Sequence, residues 1–325
     1  RNGHESKTYT RNKSTDYQKR YSRICYRTKE ETRRLFYQNH SIAKLMFLKS
    51  TYNEIVKIVS KPRSYIGFAA LTVIISIILL AMKADGEDYI SFVTASFEQT
   101  LSFNGKILNG NLVGFIILQM LIIHVPLLVA LVTGDLVSGE ASMGTLRFMG
   151  TKPISRITFI LSKFFAGAIY TFFLTIWLAF LALIIGQWIF GTGDLIVLNS
   201  DGLVIIPELD ISWRYVYSFC LAFLALFSIA CMSICFSVFS ENSIGPIVTT
   251  MSVIILFTII GSLDVPLFQS IHPLLITTHM ASWRSLFEMP VPMEEVFNSI
   301  YILLGHIFFF IAIALWQFNT KDINT

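Results

Sequence analysis

The chain has 325 residues, 54% hydrophobic and only 14% charged, whereas soluble domains average about 25% charged. That balance speaks against a soluble enzyme. The formal net charge of +4 comes from a lopsided placement of basic residues along the chain, not from a nucleic-acid-binding face, and no nucleic-acid partner is expected.

In chain order, Arg1–Leu45 is polar and rich in Arg, Lys, Tyr and Thr, and the first methionine is Met46. Residues 1–45 are read as a basic, loosely structured extension that cannot build a core; the alternative is a basic tail touching anionic lipid. From Phe47 to Ser60, Leu48, Tyr52, Ile55, Val56 and Val59 recur at helical spacing, with Lys49, Asn53, Lys57 and Ser60 opposite. This pattern predicts an amphipathic helix lying in the headgroup layer, its lysines toward lipid phosphates and its end set by Pro62.

Six long gaps between charged residues follow. They hold 19 residues (Arg63 to Lys83), 28 (Lys106 to Asp135), 30 (Lys163 to Asp194), 26 (Arg214 to Glu241), 22 (Glu241 to Asp264) and 25 (Glu295 to Lys321). A bilayer core takes about 20 apolar residues as helix, and lipid leaves the backbone no other partner than itself. The expected fold class is therefore an all-α polytopic membrane protein over 46–325. Its spans are expected near Ser64–Met82, Leu112–Thr133, Phe164–Trp188, Tyr215–Phe239, Gly245–Leu263 and Phe297–Phe318. The outer loops are too short for an independent domain. The last one, broken by Pro266 and Pro273, suits short re-entrant or interfacial helices.

Of the 25 Lys and Arg, 21 fall in the N-terminal arm, the Gly134–Lys163 loop and the C-terminal tail. The positive-inside rule then puts both termini and that loop in the cytoplasm, with the cell (plasma) membrane as the expected location. Cys231 and Cys235 sit four apart on one face of the fourth span and read as small packing residues; a metal or redox pair is the alternative. His124 lies two residues before Pro126 in the second span. It is a possible path-lining or titrating group, or else a partner for backbone groups freed near the proline. With no carboxylate inside the spans and two histidines on different helices, an intramembrane enzyme lacks its chemistry, and no metal site is expected.

The Gly134–Lys163 loop concentrates charge. Asp135 and Glu140 should continue the second span as a charged helix. Gly144 and Gly150 permit tight turns, and Thr145–Met149 should form a short helix. Lys152 and Pro153 lead into the third span, which Ser155, Arg156 and Lys163 open at the phosphate layer. The string Glu140-x3-Gly144-Thr145-Leu146-x6-Pro153-x-Ser155-Arg156-x6-Lys163, with Lys152 before Pro153, resembles the signature of type 2 ATP-binding-cassette (ABC) transporter permeases. The resemblance covers roughly Met46 to Thr325, and Arg1–Leu45 is foreign to it.

The resemblance implies a non-catalytic permease subunit that exports a substrate using ATP hydrolysed on a partner. Asp135, Glu140, Gly144, Thr145, Leu146 and Arg147 would be the coupling contact, and Lys152, Pro153, Ser155, Arg156 and Lys163 the start of the third span. It implies two copies of an ABC ATPase subunit carrying ATP and Mg, with no cofactor on this chain, and a second permease, identical or related, beside it in the bilayer. No phosphate-binding loop occurs in this chain, so another polypeptide would bind the ATP. The rival reading is a permease-like subunit of an ATPase-driven assembly, secretion or maturation machine that moves no solute.

Overall fold

The computed structural model describes residues 44–98, 107–121, 124–146, 154–199, 202–263 and 265–320. It divides into two compact units, Arg1–Ser50 and Thr51–Thr325. The first contributes only the opening turns of helix α1 (44–60) to the described residues. The second is a helical bundle with six helices long and apolar enough to cross a membrane, and the chain is a multi-pass membrane protein.

Five of the six spans sit where the charge gaps put them, and the second is displaced toward the charged loop. The first is α2 (Pro62–Glu98), which runs on past Lys83 because a charged stretch at a helix end does not unwind it. The shorter apolar helix α3 (Gly110–Leu121) precedes the second, which runs from His124 to Ser142 through α4 (His124–Thr133) and α5 (Asp135–Ser142), joined by Gly134 in a helical conformation. It starts later than the expected Leu112 and takes in Asp135 and Glu140. The third is α6 (Arg156–Ala179), a π-helical segment (Phe180–Ile185) and α7 (Gly186–Phe190). The fourth to sixth are α8 (Glu208–Phe239), α9 (Ile244–Ser262) and the last long helix (Met293–Thr320).

Helix α8 is central, touching α4, α6, α9 and the last long helix. Its inward residues are small: Ser218, Ala225, Ser228, Ala230, Cys231, Ser233, Cys235 and Ser237 are all buried. Small side chains let neighbouring backbones approach, which is how helices associate in lipid. Cys231 and Cys235 thus occupy packing positions, and no cluster of three or more His, Cys, Asp or Glu suited to a metal occurs among the described residues.

The all-helical expectation fails at one place. Residues Leu195–Asn199 (β1) and Gly202–Ile206 (β2) form an antiparallel hairpin, Leu195 facing Ile206 and Val197 facing Val204. Two apolar, β-branched runs of five residues are too short to span but long enough to pair. The chain between α9 and the last helix folds as α10 (Pro266–Gln269), a 3-10 turn (His272–Leu274), α11 (Ile276–Met280) and a second 3-10 turn (Ser282–Phe287); the last long helix is α12. Trp283 and Phe287 are buried and meet Phe115 at 5.3 and 5.2 Å between ring centroids, so this loop is packed into the bundle.

Buried Arg214 of α8 holds the end of that loop. Its guanidinium donates to the Leu286 carbonyl at 2.6 Å and the Glu288 carbonyl at 3.1 Å, and its other nitrogens donate to Asp210 Oδ2 at 3.0 and 2.7 Å. If the positive-inside assignment holds, a cysteine at exposed Met289 in a cysteine-free background should react with an impermeant maleimide on intact cells. One at exposed Asn242 should react only after permeabilisation. A reversed pair of labels would overturn the orientation.

Candidate functional site

The charged stretch after α4 continues it as helix, as expected. Gly134 keeps helical dihedrals (φ −65, ψ −23) and allows close packing there, since a Cβ would meet Ala130 O at 2.8 Å and both Ile247 and Ser233 at 3.0 Å. Ser237 of α8 then receives the first amides of α5: its Oγ accepts from Val137 N (3.1 Å) and Ser138 N (2.8 Å) and donates to Gly134 O (2.6 Å). These bonds satisfy helix-end groups that would otherwise be buried and unpaired.

From that anchored start, α5 directs two acids toward α1, α2 and α6. Asp135, buried, is met by Lys61 Nζ at 2.7 Å and Arg63 Nη1 at 3.1 Å. Glu140 Oε1 accepts from Lys57 Nζ at 2.6 Å and Lys163 Nζ at 2.9 Å. Glu54 completes the network, taking Lys57 on one oxygen at 2.6 Å and Lys163 on the other at 2.8 Å. Lys163 is fully buried, and its third hydrogen goes to the Leu136 carbonyl at 2.7 Å. All three ammonium donors are satisfied, and that is what lets a lysine sit where water cannot reach it. Burial would lower the Lys57 ammonium, but the bonds from Glu140 and Glu54 outweigh it and hold its pKa above the ordinary value.

The cluster corrects two expectations. Asp135 and Glu140 find their cations within the chain, on segments far away in sequence, and Lys163 lies inside the protein instead of at a phosphate layer. Helix α1 is helical as read, and Tyr52, Val56 and Val59 point outward; its Lys57, read as lipid-facing, is half-exposed and also pairs with Glu54 and Glu140. The cations Lys57, Lys61 and Arg63 and the acid Glu54 were not recognised as site residues. Their signal was Glu54 and Lys57 three apart on α1, with Lys61 and Arg63 just past its end.

A family model described as a protein of unknown function (DUF2705) matches residues 70–324. The chain belongs to that family. No curated protein matches it. Within the DUF2705 match lie Asp135, Glu140 and Lys163, while Glu54, Lys57, Lys61 and Arg63 precede it.

The other predicted site residues of this DUF2705 chain are dispersed around the cluster. Gly144 adopts φ +69, with open space where a Cβ would be, and closes α5 in a turn that only glycine takes without strain. Thr145 Oγ1 donates to Glu140 O at 3.1 Å, Leu146 is buried, and Ser142 to Thr145 are exposed. Arg147, Lys152 and Pro153 lie outside the described residues, as do most of the expected 145–149 helix and Gly150. Ser155 caps α6 by accepting from Thr158 N at 3.1 Å, and Arg156 Nη1 reaches the carbonyls of Phe318 (3.3 Å) and Asn319 (3.0 Å) at the end of α12. His124 stands apart from the cluster, exposed, with Nδ1 3.1 Å from Met120 O.

Proposed function

We propose that this chain is the membrane-spanning permease subunit of an ATP-binding-cassette transporter, exporting a substrate with energy from a separate ATPase subunit. The observation that carries the reading is the fixation of α5. Ser237 holds its start, and the ion cluster ties its acids to α1, α2 and α6. A force applied to the turn after α5 is delivered to the ends of several spans at once, as a rigid-body switch between two states requires.

With Asp135 and Glu140 engaged internally, the coupling contact moves from the acids to the exposed turn Ser142–Thr145, where Met143 is 62% exposed. Its occupant in this reading is an ABC ATPase carrying ATP and Mg, two copies per pair of permeases. Both termini are assigned to the cytoplasm and the protein to the plasma membrane. The outward apolar side of α1, at Tyr52, Val56 and Val59, lies in the headgroup layer. Tagged chain purified from its native membranes should carry vanadate-sensitive ATP hydrolysis. Met143→Glu should keep expression and melting behaviour but lower the co-purified hydrolysis about tenfold, consistent with a charge forced into a desolvated contact. Wild-type chain devoid of co-purifying ATPase, or a Met143→Glu chain that retains it, would overturn the reading.

A further inference from the structure

Where α1, α2 and α6 meet, they wall an open-sided groove of about 370 Å³. Val59 of α1, Tyr65 of α2 and Phe173 of α6 line it, and each is more than half exposed. The polar atoms in its walls are largely committed elsewhere. Ser64 Oγ donates to Ile58 O at 2.5 Å, Tyr170 OH to Ser64 O at 3.3 Å and Trp177 Nε1 to Thr72 Oγ1 at 3.0 Å. What the groove offers is therefore mainly carbon. Helices α2 and α6 both belong to membrane-length spans, so the exposed side of the groove meets lipid, where polar ligands are poorly solvated.

At the elbow between α1 and α2 the groove adjoins charge. Ile58 and Ser64 line both the groove and the small cavity within the ion cluster, and Lys57, Lys61 and Arg63 line that cavity too. The cluster is unevenly buried. Side chains of its acids Glu54, Asp135 and Glu140 are at most 13% exposed, whereas those of Lys57, Lys61 and Arg63 are 50%, 37% and 47% exposed. Its outer surface is thus the basic part. Lys61 and Arg63 share a single acid, Asp135, which leaves that pair one positive charge in excess. They flank Pro62, where the amphipathic helix gives way to the first span. A junction of that kind lies at the depth of lipid headgroups, where basic residues attract anionic lipid.

We propose that groove and elbow together bind an anionic phospholipid. Its acyl region lies against α2 and α6, and its phosphate meets Lys61 and Arg63. A zwitterionic lipid fits the same groove, but its own cation offsets the attraction at the elbow. The inference rests on α1 lying at the membrane interface and not on the permease reading.

The test uses the full chain in phosphatidylcholine nanodiscs, without any ATPase. The probe is phosphatidylglycerol with a diazirine in one acyl chain, compared with phosphatidylcholine carrying the same chain. At equal mole fraction, the phosphatidylglycerol probe should label peptides within 55–68 and 166–177 about fivefold more, the scale of one basic residue at an anionic surface. Added salt should narrow that preference. Arg63→Gln leaves Lys61 balanced by Asp135 and should bring the two probes close to parity. Its phosphatidylcholine labelling should stay at the wild-type level, which shows the groove intact. Val59→Trp, filling the groove from its exposed side, should abolish labelling of both segments without shifting the melting temperature. Equimolar glycerol phosphate, a headgroup without a chain, should displace nothing. Equal labelling of wild type by the two probes, a preference undiminished in Arg63→Gln, or displacement by glycerol phosphate would each overturn the proposal. So would the absence of labelling in both segments, the result expected if a second copy covers the groove.

Discussion

Lys163→Met is expected to be the most damaging single substitution in the bundle. The side chain is fully buried, and its three donors go to Glu54, Glu140 and Leu136 O. Removing it leaves two carboxylates facing each other with Lys57 alone between them. Breaking a buried ion pair from one side costs about 3–5 kcal/mol, so the variant should show a lower denaturation midpoint in detergent and poor membrane accumulation. The companion variant separates charge from shape. Lys163→Met with Glu140→Gln leaves one balanced pair, Glu54 with Lys57, and should recover most of the loss. If the single variant is as stable as wild type, the cluster is not a structural joint. The same geometry makes Glu140→Lys a poor probe of coupling. It would gather a third ammonium beside Lys57 and Lys163, and the fold would suffer before any partner was consulted.

Arg214→Met should have the second largest effect, at the opposite end of the bundle. The substitution keeps the stem's bulk but strips the Leu286 and Glu288 carbonyls and Asp210 of their donor. Each buried acceptor left unpaired costs about 1–3 kcal/mol. Because the damage falls on the 282–289 segment, limited proteolysis should cut there first while α8 and α12 remain intact. The control is Arg284→Met. Arg284 lies in the same loop but is exposed, and it only overhangs the Trp283 ring at 5.9 Å. It should behave as wild type. Equal proteolytic sensitivity in both variants would show that Arg214 does not clamp the loop.

The spans were legible because lipid imposes a length and a composition that no other environment demands. Five of the six charge gaps became membrane-length helices, and misjudged ends such as α2 beyond Lys83 were charged extensions of the same rods. The second span, His124–Ser142, starts late in its gap and takes in Asp135 and Glu140. The charged loop was legible as a site but not as a geometry. Lys57 and Glu140 are 83 residues apart, and nothing local tells a solvated lysine from one that folding buries in an ion cluster. Glu54 was the available hint, an acid three residues before Lys57 on α1. The hairpin was missed for a different reason. Its two short apolar runs were passed over as part of a short outer loop, although the Asp201-Gly202 pair is a turn signal in its own right.

The π-helical segment Phe180–Ile185 gives the third span two angular phases. A wider turn takes up one surplus residue, and one residue of α-helix is worth about 100° of rotation. Below the segment, the phase is locked by Lys163 in its cluster and by Tyr170 OH on Ser64 O. Above it, the phase is locked by Gln187 on Asn111 and by the backbone of Gly110, where a Cβ would come within 2.4 Å of Gln187 Cα. The surplus residue works like a vernier between two scales that would otherwise disagree. A one-residue deletion inside 180–185 would therefore not shorten the span so much as twist its upper end out of mesh. The span's two ends are keyed to different neighbours, and their sequences answer to different constraints although they lie on one rod.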